Sequence, residues 1–214
     1  MKNTAVSLTP AEKPKKSIVL EYTQSIILAL VLALFIRTFI VQTYKIPSGS
    51  MEDTLAVGDY IVVNKFIFGA KVPFTDRQIP GMRDPARGDV IVFEFPEDPS
   101  KDFIKRVIGV PGDRVQMMDK HVYVNGKPYA NPHEVHKRDD TIPKNLSPRD
   151  NTDLIIVPTN SYFVMGDNRD LSYDSRFWGF VRKDSIKGLA FIKYFSWDGE
   201  KGGVRWQNIG RLID

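Results

Sequence analysis

The stretch KIPSGSMEDTL, Lys45 to Leu55, sets Ser48 and Ser50 on either side of a glycine, between two apolar runs. A serine hydroxyl is a weak nucleophile until a base takes its proton. Histidine is the usual base, but His121, His133 and His136 all lie in or beside one polar stretch. The Gly-x-Ser-x-Gly pattern of a nucleophile elbow is absent. A Ser-His-Asp triad is therefore disfavoured, although separation along the chain does not exclude one.

Lysine is the other candidate base. It acts only when neutral, so its pKa must fall from about 10 through burial or nearby cations. DFIKRVIGVPGD places Lys105 among Phe103, Ile104, Val107, Ile108 and Val110. In a strand, Lys105 shares an apolar face with Phe103 and Val107, and Arg106 turns to the other face. One of the two can be buried while the other reaches solvent. The competing reading is an edge-strand Lys-Arg pair that discourages aggregation, and spacing alone leaves both open. A third stretch, MGDNRDLSYDSRFWGFV, Met165 to Val181, is dense in turn formers, carboxylates, arginines and hydroxyls. By itself it reads equally as a salt-bridged turn. It lacks the spacing and closing Glu of an EF-hand. His133 and His136 have a His-x-x-His spacing, but no further ligand is obvious, and a solvated loop is the better reading.

The elements that must position these residues are mostly strands. YIVVNKFIF, DVIVFEF, FIKRVIGV, HVYVNG, LIIVP, SYFVMG and IKGLAFIKYF are short β-branched or aromatic runs separated by Gly, Pro, Asp and Asn. The Asn-Gly in VYVNGKPY is a hairpin signal. Residues 119–158 differ in texture: within them YANPHEVHKRDDTIPKNLSPRDNTD is polar, Pro-bearing and loop-like, and they read as an accessory insertion on a β core made of 43–118 and 159–214. No long amphipathic helix follows Tyr44.

Ahead of the core, Ile26 to Ile36 is apolar without a break, and Phe39 to Val41 extends the run. From Leu20 to Val41 a helix would span roughly 33 Å, enough for a bilayer core. Glu21 and Arg37 sit near its ends, where a long side chain reaches the headgroups. The preceding tail, residues 1–17, carries Lys2, Lys13, Lys15 and Lys16 against Glu12. The positive-inside rule keeps that tail in the cytoplasm and the rest outside. A cleaved signal is the weaker alternative, because the small residues of SGS lie well beyond the apolar run, past Arg37 and Lys45. The expectation is an anchor over residues 18–42.

Composition sets outer bounds. The chain has 214 residues, 42% hydrophobic and 26% charged, with net charge +4. Dispersed basic residues at that charge do not argue for nucleic acid. There is no cysteine, so disulfides, thiolate nucleophiles and Cys-type zinc sites are excluded.

Taken together and in this order behind an apolar anchor, PSGSMEDTL, FIKRVIGVPGD and GDNRDLSYDSRFWGF resemble the boxes of bacterial type I signal peptidases. RGDVIVFEFP, Arg87 to Pro96, resembles a further box, and the likeness runs from the anchor to about Tyr194. The resemblance implies a mainly β fold: a single transmembrane helix, then a catalytic domain of antiparallel sheets with a small polar insertion. It implies Ser50 as nucleophile and Lys105 as general base. Ser48 would help hold the oxyanion, Ser172 would orient the lysine, and Asp174 would support them in a salt-bridge network with Asp167 and Arg176. Ile46, Pro47, Met51 and Leu55 would line the substrate site. The implied substrate is a preprotein bound as an added strand and cut after small residues at P1 and P3. The implied setting is the outer face of a bacterial cytoplasmic membrane. The chain would act as a monomer, with the lipid bilayer as its other partner and with no cofactor, metal or nucleic acid. Glu52 and Asp53 depart from the less charged segment common in the family and bear on substrate preference. Two rivals remain: a specialised Ser/Lys processing peptidase or self-cleaving regulator, and a non-enzymatic anchored β domain that binds nascent envelope proteins.

Overall fold

The computed structural model describes residues 18–69, 72, 75 and 79–214. The basic tail expected over residues 1–17 lies outside them. Helix α1 (Ile18–Phe39) has Glu21 in its first turn and Arg37 in its last, the favourable ends of the helix dipole. None of its residues is buried, and it is long and apolar enough to cross a membrane. Thr23 and Ser25 donate their hydroxyls to the carbonyls of Val19 and Glu21, which satisfies them within the helix.

The helix stops two residues before the end expected for it, Val41. Val41–Lys45 is instead strand β1, paired antiparallel with β2 (Asp59–Asn64). Val41 and Thr43 are β-branched, and a complete partner strand is available, so pairing wins over continued helix. The other strands are β3 (Val90–Phe95), β4 (Asp98–Gly109), β5 (Arg114–Met118), β6 (His121–Val124), β7 (Lys127–Pro128), β8 (Ile155–Ile156), β9 (Ser161–Met165), β10 (Val181–Arg182), β11 (Ile186–Asp198) and β12 (Gly203–Val204). The larger sheet runs β1-β2-β11-β3-β4-β9-β10, with β12 paired to β11; the smaller runs β7-β6-β5-β8. All named pairings are antiparallel. Among the described residues the second α-helix is a single turn, α2 (Ser175–Trp178).

Alternation along β3 and β4 divides the core. Val90, Val92 and Ile104 face one cluster, which holds Ile46, Met51, Leu55, Ile61, Val63 and Ala190. Ile91, Phe93, Phe103 and Val107 face another, with Tyr162, Val164 and Val181. A third cluster joins the small sheet, through Val115, Met117, Val122 and Val124, to Ile108, Phe163 and Met165. The close approach is made at Gly109, where a Cβ would fall 2.7 Å from Val115 and 2.9 Å from Val157.

Asn125 and Gly126 both take positive φ, 54° and 76°, and join β6 to β7 as the hairpin that Asn-Gly predicts. The run YIVVNKFIF is not one strand. It ends at Asn64, whose side chain accepts from the Ile67 amide and closes a 3-10 turn over Phe66–Phe68. Strand β5 lies outside the runs read as strands, because RVQMM lacks their density of β-branched and aromatic residues.

Candidate active site

Ser50 sits on one turn of 3-10 helix, Gly49–Met51. The Ile46 amide donates to Asp59 O at 2.8 Å and fixes the incoming chain against β2. Glu52 N bonds Gly49 O, and Leu55 N bonds Met51 O. Met51 and Leu55 are fully buried in the first core cluster and hold the turn down. Ser50 itself is 8% exposed. Ser48 precedes the turn in extended conformation and is exposed.

Lys105 arrives from β4, opposite Ile91 of β3 and on the face of Phe103 and Val107, as alternation predicts. It is 4% exposed, and its Nζ donates to Ser50 Oγ at 2.6 Å. Burial pushes its pKa down to about 8. The Arg176 charge adds to that depression, and Asp174 and Asp167 oppose it. The two groups therefore meet in a dry setting where a neutral amine is accessible near physiological pH.

Arg106 does not reach solvent. It is 2% exposed and makes a two-pronged pair with Asp167, Nε to Oδ1 at 2.8 Å and an η nitrogen to Oδ2 at 2.7 Å. Both members of the Lys-Arg dipeptide are buried because each face of β4 supplies a partner. Asp167 also accepts from Thr54 Oγ1 at 2.6 Å and from Asn131 Nδ2 at 3.0 Å, so every lone pair direction is used.

The loop Met165 to Arg176 closes over the Ser50 turn. Asn168 N donates to Ser50 O at 3.2 Å, and its side-chain amide reaches Gly49 O and Glu52 Oε2 at 3.3 Å each. Gly166 packs against the same carbonyl. A Cβ there would lie 2.4 Å from Ser50 O and 2.3 Å from Ser172 Oγ. Asp174 is fully buried and caps α2 through the Arg176 amide, while the Arg176 guanidinium grips it twice at 2.8 Å. Burial alone would raise the Asp174 pKa. The Arg176 charge and hydrogen bonds, with the Gly166 amide, outweigh that and hold it below the ordinary carboxylate value. Ser172 Oγ lies close enough to Asp174 to favour its ionised form, but this buried hydroxyl completes no hydrogen bond of ordinary geometry. The bond from Ser172 to Lys105 implied by the resemblance is not made in this state.

The structure thus brings together Ser50, Lys105, Ser172 and Asp174, with Ser48 two residues from the nucleophile. Of the four expected wall residues, Pro47 is exposed, whereas Ile46, Met51 and Leu55 belong to the core beneath the turn. Phe177 is partly exposed, and Trp178 packs on Phe93 and Phe95. His136 pairs with Glu134 at 2.7 Å, and His133 lies 4.0 Å from Asp214. Sequence reasoning missed Gly166, Asn168 and Thr54. Thr54 and Asn168 act through contacts with residues more than a hundred positions away, and a local pattern carries no trace of those.

A family model described as signal peptidase, peptidase S26, matches residues 19–197. Signal peptidase I of Pseudomonas fluorescens is 37% identical over 224 residues, covering 87% of this chain and 76% of the relative. That of Pseudomonas aeruginosa is 38% identical over 216 residues, with the same coverage, 87% and 76%. That of Aquifex aeolicus is 37% identical over 220 residues, covering 79% of this chain and 81% of the relative.

Proposed function

Because this chain belongs to the signal peptidase family, peptidase S26, we propose that it removes signal peptides from exported preproteins by a Ser/Lys mechanism. The chain is a peptidase, and the single observation that carries the mechanism is the 2.6 Å contact between Lys105 Nζ and Ser50 Oγ in a buried setting.

In this reading the contact reverses its sense: neutral Lys105 accepts the Ser50 proton as Oγ attacks the scissile carbonyl. The Ser50 amide and the Ser48 hydroxyl hold the oxyanion, a donor worth about 3 kcal/mol of transition-state stabilisation. Collapse breaks the C–N bond, and the proton on Lys105 passes to the departing amine. Water then enters, Lys105 takes its proton, and the acyl-Ser50 ester is hydrolysed. Ser172 orients the amine once the Ser50 hydroxyl is consumed, and the Asp174–Arg176 pair keeps Ser172 in place. No step calls for a metal or organic cofactor.

The substrate would lie extended beside the Ser50 segment with small P1 and P3 residues. Pro47 would touch it directly, and Ile46, Met51 and Leu55 would support that surface from below. Helix α1 serves as a single-pass anchor in a cytoplasmic membrane, with residues 1–17 inside and the β-rich region outside. Residues 119–158 are the accessory region of that monomeric catalytic domain.

The test uses detergent-solubilised protein and a preprotein with an Ala-x-Ala junction. The parent should cut at the junction, and folded Ser50→Ala and Lys105→Ala should not. Equal cutting by Lys105→Ala would sink the dyad, and a folded parent that cuts nothing would shift weight to a binding role.

A further inference from the structure

We propose that Glu52 and Lys137 form a clasp that positions the Ser50 turn from a segment contributing no catalytic group of its own. This rests on the reading of Ser50 as the nucleophile.

The backbone around Lys137 is fixed before its side chain does anything. Val135 pairs with Asn168 in a parallel bridge, with Val135 N to Asp167 O and Arg169 N to Val135 O both at 2.9 Å. The amides of Lys137 and Arg138 then donate to one oxygen of Asp170, at 2.7 and 2.8 Å, and Lys120 Nζ holds the other at 3.2 Å. From this mount the Lys137 side chain reaches Glu52, Nζ to Oε2 at 2.8 Å.

The same Glu52 oxygen accepts from Asn168 Nδ2, and it lies 3.5 Å from where a Cβ on Gly49 would stand. Glu52 therefore sits over the turn that carries Ser50. Asn168 joins that turn at the carbonyls of both Gly49 and Ser50. Asp53 follows with φ 75°, a left-handed conformation uncommon outside glycine, so the turn is held rather than relaxed. The hydrogen bond that Lys137 donates to Glu52, with the fields of Glu52 and Asp53, raises the Lys137 pKa above the ordinary lysine value. The turn is thus gripped on one side by Asn168 and on the other by an ammonium anchored elsewhere in the fold.

The Lys137 and Glu52 side chains are 37% and 43% exposed. Exposed pairs contribute little to global stability, so a merely structural pair would leave catalysis alone. A misplaced nucleophile lowers turnover steeply. The two roles are therefore separable.

The experiment compares the parent with Lys137→Ala, with Glu52→Gln, which keeps the Asn168 contact, and with the double variant Glu52→Gln, Lys137→Ala. Two readouts are taken: kcat and KM on the Ala-x-Ala preprotein, and hydrogen exchange of the peptide covering Ser48 to Leu55. Each single change should lower kcat about 5- to 20-fold with KM and Tm nearly unmoved, and exchange over that peptide should quicken. The double variant should fall no further than the worse single variant, because both single changes remove the same ion pair. Unchanged exchange in Lys137→Ala overturns the clasp, whatever is cleaved. A double variant whose losses multiply overturns it as well. A parent that cleaves nothing overturns the peptidase reading instead, and the exchange comparison still decides the clasp.

Discussion

Lys105 and Ser50, on β4 and on a 3-10 turn 55 residues earlier, place an amine nitrogen 2.6 Å from a hydroxyl oxygen. Both are nearly shut off from water, and burial has pushed the lysine pKa down to about 8. The distance alone would suit any surface hydrogen bond. Burial is what fits the pair for the proposed roles of base and nucleophile, because it disfavours the ammonium that could not accept a proton.

The first prediction concerns pH and rate. If Lys105 is the base, as proposed, only its neutral form is active, so kcat/KM should rise with pH, bend near the lysine pKa of about 8 and then level. At pH 6 the rate should be roughly 100-fold below the plateau, as two pH units below a pKa leave about 1% of the base neutral. Initial rates on a preprotein between pH 6 and 10 measure this. A profile flat across that range would exclude Lys105 as the base.

The same shift makes a statement about stability. A lysine whose folded pKa lies below its unfolded value of 10.5 is a burden while protonated in both states. That burden is complete below about pH 8 and is relieved as pH rises from 8 to 10.5. Lys105→Met should therefore raise the Tm at pH 7, by the equivalent of roughly 3 kcal/mol at most. Its advantage should shrink towards pH 10.5. Thermal melts at the two pH values test this, and a gap that widened with pH would contradict it.

Gly166 has no room for a side chain, since a Cβ would stand 2.3 Å from Ser172 Oγ and 2.4 Å from Ser50 O. Gly166→Ala should displace the Ser50 turn, costing about 1–3 kcal/mol in stability and about 100-fold or more in kcat. Gly199 has nothing within 4 Å of its Cβ position, so Gly199→Ala should change neither. Comparable activity in the two variants would show that the close contact relaxes.

Arg106 and Asp167 form a buried pair with every carboxylate oxygen engaged. Breaking such a pair from one side leaves an uncompensated charge, at a cost of about 3–5 kcal/mol. Asp167→Ala should lose that much in urea unfolding, and Arg106→Met a similar amount. The double variant should lose clearly less than the sum, since the second change removes the charge stranded by the first. Strict additivity would mean that the two residues act independently.

Ser172 offers a separation of activity from folding. Its buried hydroxyl completes no hydrogen bond of ordinary geometry here, so Ser172→Ala should change the Tm little. If the hydroxyl holds the lysine amine during turnover, kcat should fall about 10- to 100-fold. Wild-type kcat in this variant would remove Ser172 from the mechanism.

Much of this was legible in the sequence for local reasons. The apolar run from Ile18 reads as a membrane-length helix because hydropathy is additive along the chain. Lys105 falls on the face of Phe103 and Val107 because a strand alternates, whatever it packs against. Asn125-Gly126 makes its hairpin because few other residues tolerate two consecutive left-handed conformations. Tertiary structure decided what depends on distant partners. Val41 left the helix because β2 offered it a ladder. Arg106 went inside because Asp167, from the far loop, met it there. Ile46, Met51 and Leu55 became core because β2, β3 and β11 closed over them. The 2.6 Å between Lys105 and Ser50 belongs to this second class. Sequence supplies the two groups, but only the pairing of β4 within the larger sheet and the burial of the Ser50 turn set their separation and their dryness, since both are properties of packing rather than of any local stretch of chain.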